Sequence, residues 1–239
     1  MKKQKVSIDI GEFKMIINIM EEAKNFLLSY LEGKECEYET THPWRRDSKF
    51  VFLHCLRVQA CALEITKNQE ELVSEEEKKL IELAAILHDI GKADNCEEHA
   101  VCSAGIVKAW LSENIHLANE IKDANRLVRI IEDHSNKDGY EKDICSAILK
   151  DADLLDEIGA LSIFMASSWV DRQSPLFFNN LLERLETFEI SYCEKQLKKL
   201  NTDYGRKVLK DKMDFIKRFN EQLALEIKGT EEAYDLFRD

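Results

Sequence analysis

The chain has 239 residues and a formal net charge of −12 at pH 7. A surface of that sign disfavours broad attachment to DNA, RNA or anionic lipid, whereas a small phosphorylated ligand needs only a local positive pocket. Two prolines and eight glycines among abundant Leu, Ile, Glu, Lys and Ala argue for helices joined by short turns: an all-α fold, long enough to bury a substantial core in one domain spanning 1–239.

In chain order, Met15, Ile16, Ile19, Met20, Ala23, Phe26, Leu27 and Tyr30 recur at helical spacing, with Gly33 just beyond, and predict an N-terminal packing helix over 12–31. The polar stretch 35–46 is expected to be a loop ending at Asp47, an N-cap candidate for the helix that carries His54. Ser74-Glu75-Glu76-Glu77 is a capping-box signal for a helix over 75–88 that stops near Gly91. Further helices are expected at 97–112, 118–133, 142–153, onward through Gly159 to 170, then 175–200 and 202–227. Residues 1–46 are read as a covering helix and loop, 47–170 as the core, and 171–239 as covering helices set off by a turn at 169–178.

Seven cysteines, at 36, 55, 61, 96, 102, 145 and 193, include no Cys-x-x-Cys pair and are odd in number, so reduced thiols are expected. Cys55, Cys61 and Cys145 fall in amphipathic patterns and read as small core residues. No signal peptide and no apolar run near the ~20 residues needed to cross a bilayer is present, which leads to the expectation of a cytoplasmic protein without membrane contact.

The chemistry centres on His88-Asp89, which closes the apolar run Leu83-Ala84-Ala85-Ile86-Leu87. An imidazole and a carboxylate together at the end of a buried helix are half of a divalent-metal site. A lone His-Asp pair is commonly a cap or a surface pair; here further candidates flank it. His54 lies in Phe52-Leu53-His54-Cys55-Leu56-Arg57-Val58, and Asp153 in Asp151-Ala152-Asp153-Leu154-Leu155-Asp156-Glu157-Ile158-Gly159-Ala160.

That order, with Gly91-Lys92 after the doublet, resembles the HD superfamily of metal-dependent phosphohydrolases over about 47–170. The Asp-Ala-Asp segment, and Leu200-Asn201-Thr202-Asp203-Tyr204-Gly205-Arg206 later on, are similar to the bacterial branch containing nucleotide pyrophosphohydrolases. The resemblance implies an HD-domain helical bundle with N-terminal and C-terminal covering helices. It also implies His54, His88, Asp89 and Asp153 as ligands of a divalent ion (Mn, Fe, Mg, Ni, Co or Zn), and attack by metal-activated water on a small phosphate ester or anhydride, a nucleotide. Binuclear relatives use extra histidines between the doublet and the last Asp, which makes His99 and His134 candidates for a second ion; contact with substrate phosphate is the other reading.

Arg57, three residues after His54, and Lys92, four after His88, are candidate catalytic and substrate-binding phosphate clamps, against salt bridges with neighbouring carboxylates. Asp156 is positioned to orient a ligand histidine or the attacking water, whereas Asp151 is expected to face solvent or a lysine. His42 and His116 read as surface groups. Arg172 is a candidate for phosphate or ribose, with Trp169, Phe177 or Phe178 stacking on a base, against a role for these aromatics in anchoring the C-terminal helices. The competing functions are a di-iron oxygenase, which needs His99 and His134 as ligands, and a noncatalytic nucleotide-sensing module.

Overall fold

Local capping decides where the site helices begin. The Asp47 carboxylate accepts from the Lys49 amide at 2.9 Å and opens α2 (Ser48–Asn68), and Ser74 and Glu77 form the expected capping box that opens α3 (Glu75–Leu87). In the computed structural model, which describes residues 18–35, 42–69, 72–94 and 97–230, these follow α1 (Ile19–Leu31) and a 3-10 turn at Pro43–Arg46. Then come α4 (His99–Glu113), α5 (Ile115–Ala118), α6 (Ala124–Asp133), α7 (Ile144–Leu155) and α8 (Ala160–Ala166). The chain ends its described part with α9 (Phe177–Arg184), α10 (Ile190–Leu197) and α11 (Asp203–Glu226). The fold is all-α; an isolated bridge between Glu35 and Asp47 is the sole β pairing among the described residues.

At the centre, α3 packs on α2 and α7. Its last turns, Leu83 to Leu87, are buried on every side, the mark of a helix enclosed by others rather than lying on a surface. Each such Leu or Ile contributes about 1.5–3 kcal/mol by burial. Val51, Cys55, Val58, Ala62 and Ile65 form the buried stripe of α2, and Ile148, Leu149, Ala152 and Leu155 that of α7. The three site helices therefore share one apolar core, and their polar residues meet where that core ends. No helix among the described residues is long and apolar enough to cross a membrane.

Several expectations need correction. The expected helix over 118–133 is broken: the chain turns after α5, and Asp123 restarts it by accepting from the Arg126 amide at 2.8 Å. The stretch 175–200 carries a π-helical turn at Leu185–Glu189 between α9 and α10. Asp151 does not face solvent. It is 1% exposed and accepts from the Asn201 and Thr202 amides at 2.8 and 2.7 Å and from the Thr202 hydroxyl at 2.7 Å. His42 is likewise buried, its ring stacked on Trp44 and edge-on to Trp169. His116 is exposed as expected. Cys55, Cys61, Cys102, Cys145 and Cys193 are free thiols; Cys36, Cys96 and the helix start at 12–17 lie outside the described residues.

Candidate metal centre

Five helices and one turn bring the histidines and aspartates together. His54 comes from the middle of α2, and His88 is the C-cap of α3. Asp89 follows at the start of a 3-10 turn, Ile90–Ala93, that packs against the first turn of α4. Gly91 makes this approach possible: a Cβ there would lie 2.6 Å from the Ser103 nitrogen and 2.7 Å from the His99 oxygen. His99 begins α4, His134 caps the end of α6, and Asp153 projects from α7.

Asp89 is the hub. Its Oδ2 lies 3.0 Å from His54 Nε2 and 3.5 Å from His88 Nε2, and its Oδ1 lies 3.4 Å from His134 Nε2 and 3.5 Å from His99 Nε2. Asp153 Oδ1 approaches His54 and His88 Nε2 at 3.2 and 3.6 Å. The two oxygens of one carboxylate thus face two different pairs of imidazoles.

Backbone carbonyls decide which nitrogen of two rings faces inward. His88 Nδ1 donates to the Ala85 oxygen at 2.9 Å and His134 Nδ1 to the Ile131 oxygen at 2.7 Å. A carbonyl can only accept, so each neutral ring keeps its proton on Nδ1 and turns the Nε2 lone pair to the cluster. His54 Nδ1 meets Asp156 Oδ2 at 2.7 Å, and Arg57 holds the same carboxylate with two bonds of 2.9 and 2.8 Å. A carboxylate behind the ring is the arrangement that orients ligand histidines in metal sites.

Three carboxylates lie against the His54 ring. Burial opposes protonation of His54, but Asp153, Asp156 and Asp89 outweigh it and push the imidazole up to about 10. Burial likewise opposes ionisation of Asp89 and Asp153. Lys92 and the histidines nevertheless hold Asp89 well below the usual carboxylate range, and Lys137 with His54 and His88 does the same for Asp153. Burial pulls His88 below its ordinary value although Asp89 and Asp153 oppose it. His134 Nε2 and both Asp89 oxygens are sealed from solvent without a regular hydrogen bond, although Asp89 is ion-paired with Lys92. A buried imidazole nitrogen without a hydrogen bond, beside a buried carboxylate shared between an ammonium group and several imidazoles, fits a divalent cation. The sets His54, His88, Asp89 and Asp89, His99, His134 each gather three ligand atoms closely enough to share one ion, as does His88, His134, Asp153.

A cavity of about 400 Å³ opens over His54, Asp89 and Asp153. Lys92 and His99 line it, as does Asp156. Arg57 does not: it is committed to Asp156, with Glu157 3.7 Å away, so the salt-bridge reading describes its position. Arg172 is also elsewhere. It turns back to the Ser168 hydroxyl at 2.9 Å, while Trp169 lies by His42 and Arg184, and Phe177, packed against the core, meets the exposed Phe178 edge-on. Further lining residues escaped sequence reasoning, among them Lys137, ion-paired with Asp153, together with Arg45, Phe50, Tyr192 and Gln196. Only Lys137 carried a signal, three residues after His134 and within reach of the same cluster. Behind Asp156 and Glu157 lies a second cavity of about 540 Å³, walled by α11 through Val208, Lys212 and Phe215.

A family model for the HD domain matches residues 51–158. Among solved structures, a protein described as a predicted HD superfamily hydrolase from an uncultured Thermotogales bacterium is 20% identical, with a TM-score of 0.59 over 92% of this chain and 99% of its own. An HD-superfamily hydrolase from Bacillus thuringiensis is 20% identical, with a TM-score of 0.57 over 88% and 97%. YpgQ of Bacillus subtilis, crystallised in complex with ADP, is 22% identical, with a TM-score of 0.51 over 89% and 100%. A search of curated proteins returned no match. At these identities the neighbours establish a common fold.

Proposed function

Since residues 51–158 of this chain are an HD domain, we propose that it acts as a metal-dependent phosphohydrolase on a nucleotide. The observation that carries the reading is a buried His/Asp cluster that opens into a cavity lined by Lys92, Lys137 and Arg45. Ligand atoms alone fit many metal proteins; three cations around the mouth of such a cluster fit a phosphorylated substrate. The ADP complex of the Bacillus subtilis neighbour supports a nucleotide, as do the Asp-Ala-Asp and 200–206 segments that resemble the pyrophosphohydrolase branch.

His54, His88, Asp89 and Asp153 would hold one ion, and His99 and His134 with the second oxygen of Asp89 would hold another. A divalent ion bound there supplies Lewis-acid activation of water and neutralises phosphoryl charge. Asp156, itself held by Arg57, keeps the His54 ring in its inward orientation. Lys92 and Lys137 neutralise Asp89 and Asp153 in this structure; with cations on those carboxylates, both ammonium groups would turn to the phosphates instead.

The test is turnover of nucleoside mono-, di- and triphosphates with Mn, Fe, Mg, Ni, Co and Zn in turn, with phosphate and pyrophosphate measured separately. Release of either product, dependent on added metal, is expected. No release under any combination sinks the reading, and dioxygen uptake with iron in its place would establish the oxygenase alternative.

A further inference from the structure

The cavity holds more than phosphate chemistry requires. Phosphoryl transfer uses charge and positioned water, yet Phe50 and Tyr192 present aromatic rings to the same space, and Gln196 presents a primary amide. Tyr192 and Gln196 are four residues apart on α10 and so share one face, and Phe188, four residues earlier, continues the stripe with its ring parallel to Tyr192 at 6.2 Å between centroids. Phe188 and Tyr192 are 51% and 40% exposed. The Gln196 side chain makes no hydrogen bond among the described residues, so its donor and its acceptor are both unspent at the edge of the cavity. The π-helical turn at Leu185–Glu189 immediately precedes α10; insertions of this kind re-aim the residues that follow and are frequent at functional sites.

A flat ring beside an amide with a free donor and acceptor matches one ligand chemistry. A nucleobase stacks through its π-face and pairs through its edge, and a glutamine can engage it with both groups at once. We propose that the α10 face is the base-recognition subsite of this enzyme: Tyr192 stacks on the base and supplies affinity for any nucleotide, while Gln196 reads the base edge and supplies discrimination. This rests on the phosphohydrolase reading for the placement of the phosphates at the metal cluster. It assigns to α10, from outside the HD-domain match, the choice of substrate, and it replaces Arg172, Trp169, Phe177 and Phe178, which point elsewhere.

Binding separates the two layers. With the Mn-loaded full-length chain, equilibrium dissociation constants for ADP, GDP, CDP and UDP and for inorganic pyrophosphate would be measured by calorimetry. Wild type is expected to bind ADP more tightly than pyrophosphate. Tyr192→Ala should weaken ADP binding by about 5- to 150-fold, as for loss of a base–aromatic stack, and leave pyrophosphate unchanged; Tyr192→Phe should retain wild-type affinity. Gln196→Leu should bring the four nucleoside diphosphates to a common affinity. Wild type that binds pyrophosphate as tightly as ADP overturns the proposal, as does parallel weakening of ADP and pyrophosphate in Tyr192→Ala. Equal losses in Tyr192→Phe and Tyr192→Ala would assign the contact to the hydroxyl and also overturn it. Base-dependent binding without phosphate release would leave the subsite standing and defeat the phosphohydrolase reading instead.

Discussion

The two cavities on either side of Asp156 and Glu157 differ in an instructive way. The one behind the wall is the larger, about 540 Å³ against about 400 Å³, and is lined by Cys61, Leu155, Ile158, Val208 and Phe215 with its charges engaged. Lys212 donates to the Leu155 and Ile158 carbonyls at 2.7 and 3.1 Å, and Arg57 is bonded to Asp156. The smaller cavity is floored by His54, Asp89 and Asp153, where the Asp89 carboxylate is shared between Lys92 and four imidazoles without a regular hydrogen bond. Volume alone would pick the other side. Reactivity tracks polar groups that the fold leaves in need of a partner, because a satisfied group has no unspent interaction with which to bind or activate anything.

The strongest challenge to that contrast is Asp89→Asn, which keeps the side chain's shape and removes its charge. Turnover should fall by about 10³-fold or more, equivalent to about 4 kcal/mol of lost stabilisation, and bound metal should drop, while helical circular dichroism is retained. Stoichiometric metal and undiminished turnover would show that the orphaned oxygens are not what binds the ion.

The His99→Ala/His134→Ala variant sharpens the comparison within the polar cavity by asking whether both faces of Asp89 are used. About two metals per wild-type chain and about one per variant chain are expected under saturating Mn. One metal per chain in wild type would assign these histidines to substrate instead.

Asp156→Asn tests the wall itself. Loss of the carboxylate behind His54 should lower metal affinity or turnover by about 10- to 100-fold, measured by metal titration and steady-state kinetics. The smallest effect on activity is expected across the wall. Lys212→Met should leave kcat/KM within about twofold and lower the free energy of unfolding by about 1–3 kcal/mol, as two hydrogen bonds to carbonyls are lost. Activity falling as far in Lys212→Met as in Asp156→Asn would erase the distinction between the cavities.

What could be read from the sequence was local or carried by the spaced motif. Asp47 and the Ser74/Glu77 box act within three residues of themselves, so their effects were visible without tertiary structure. His54, His88, Asp89 and Asp153 stood out by order and context, and their side chains converge. Residues whose place depends on distant partners did not stand out. Nothing near Asp151 announces that its acceptors will be used by Asn201 and Thr202, fifty residues on, and nothing near Arg45, Tyr192 or Gln196 marks them as neighbours of the cluster. Arg172 was a plausible phosphate ligand by type, but a side chain that finds Ser168 one turn back is already engaged at short range.

Asp151 ties the helix that bears Asp153 to a segment fifty residues away. Burial pushes its pKa up, and the donors that offset this belong to the segment that opens α11, where Gly205 leaves no room for a side chain: a Cβ would lie 2.8 Å from Asp151 Oδ2. The ligand-bearing helix and the start of α11 are therefore one cooperative unit: opening of the 201–205 segment would expose a carboxylate two residues from Asp153, and amide protons of α7 and of the first turn of α11 should exchange together.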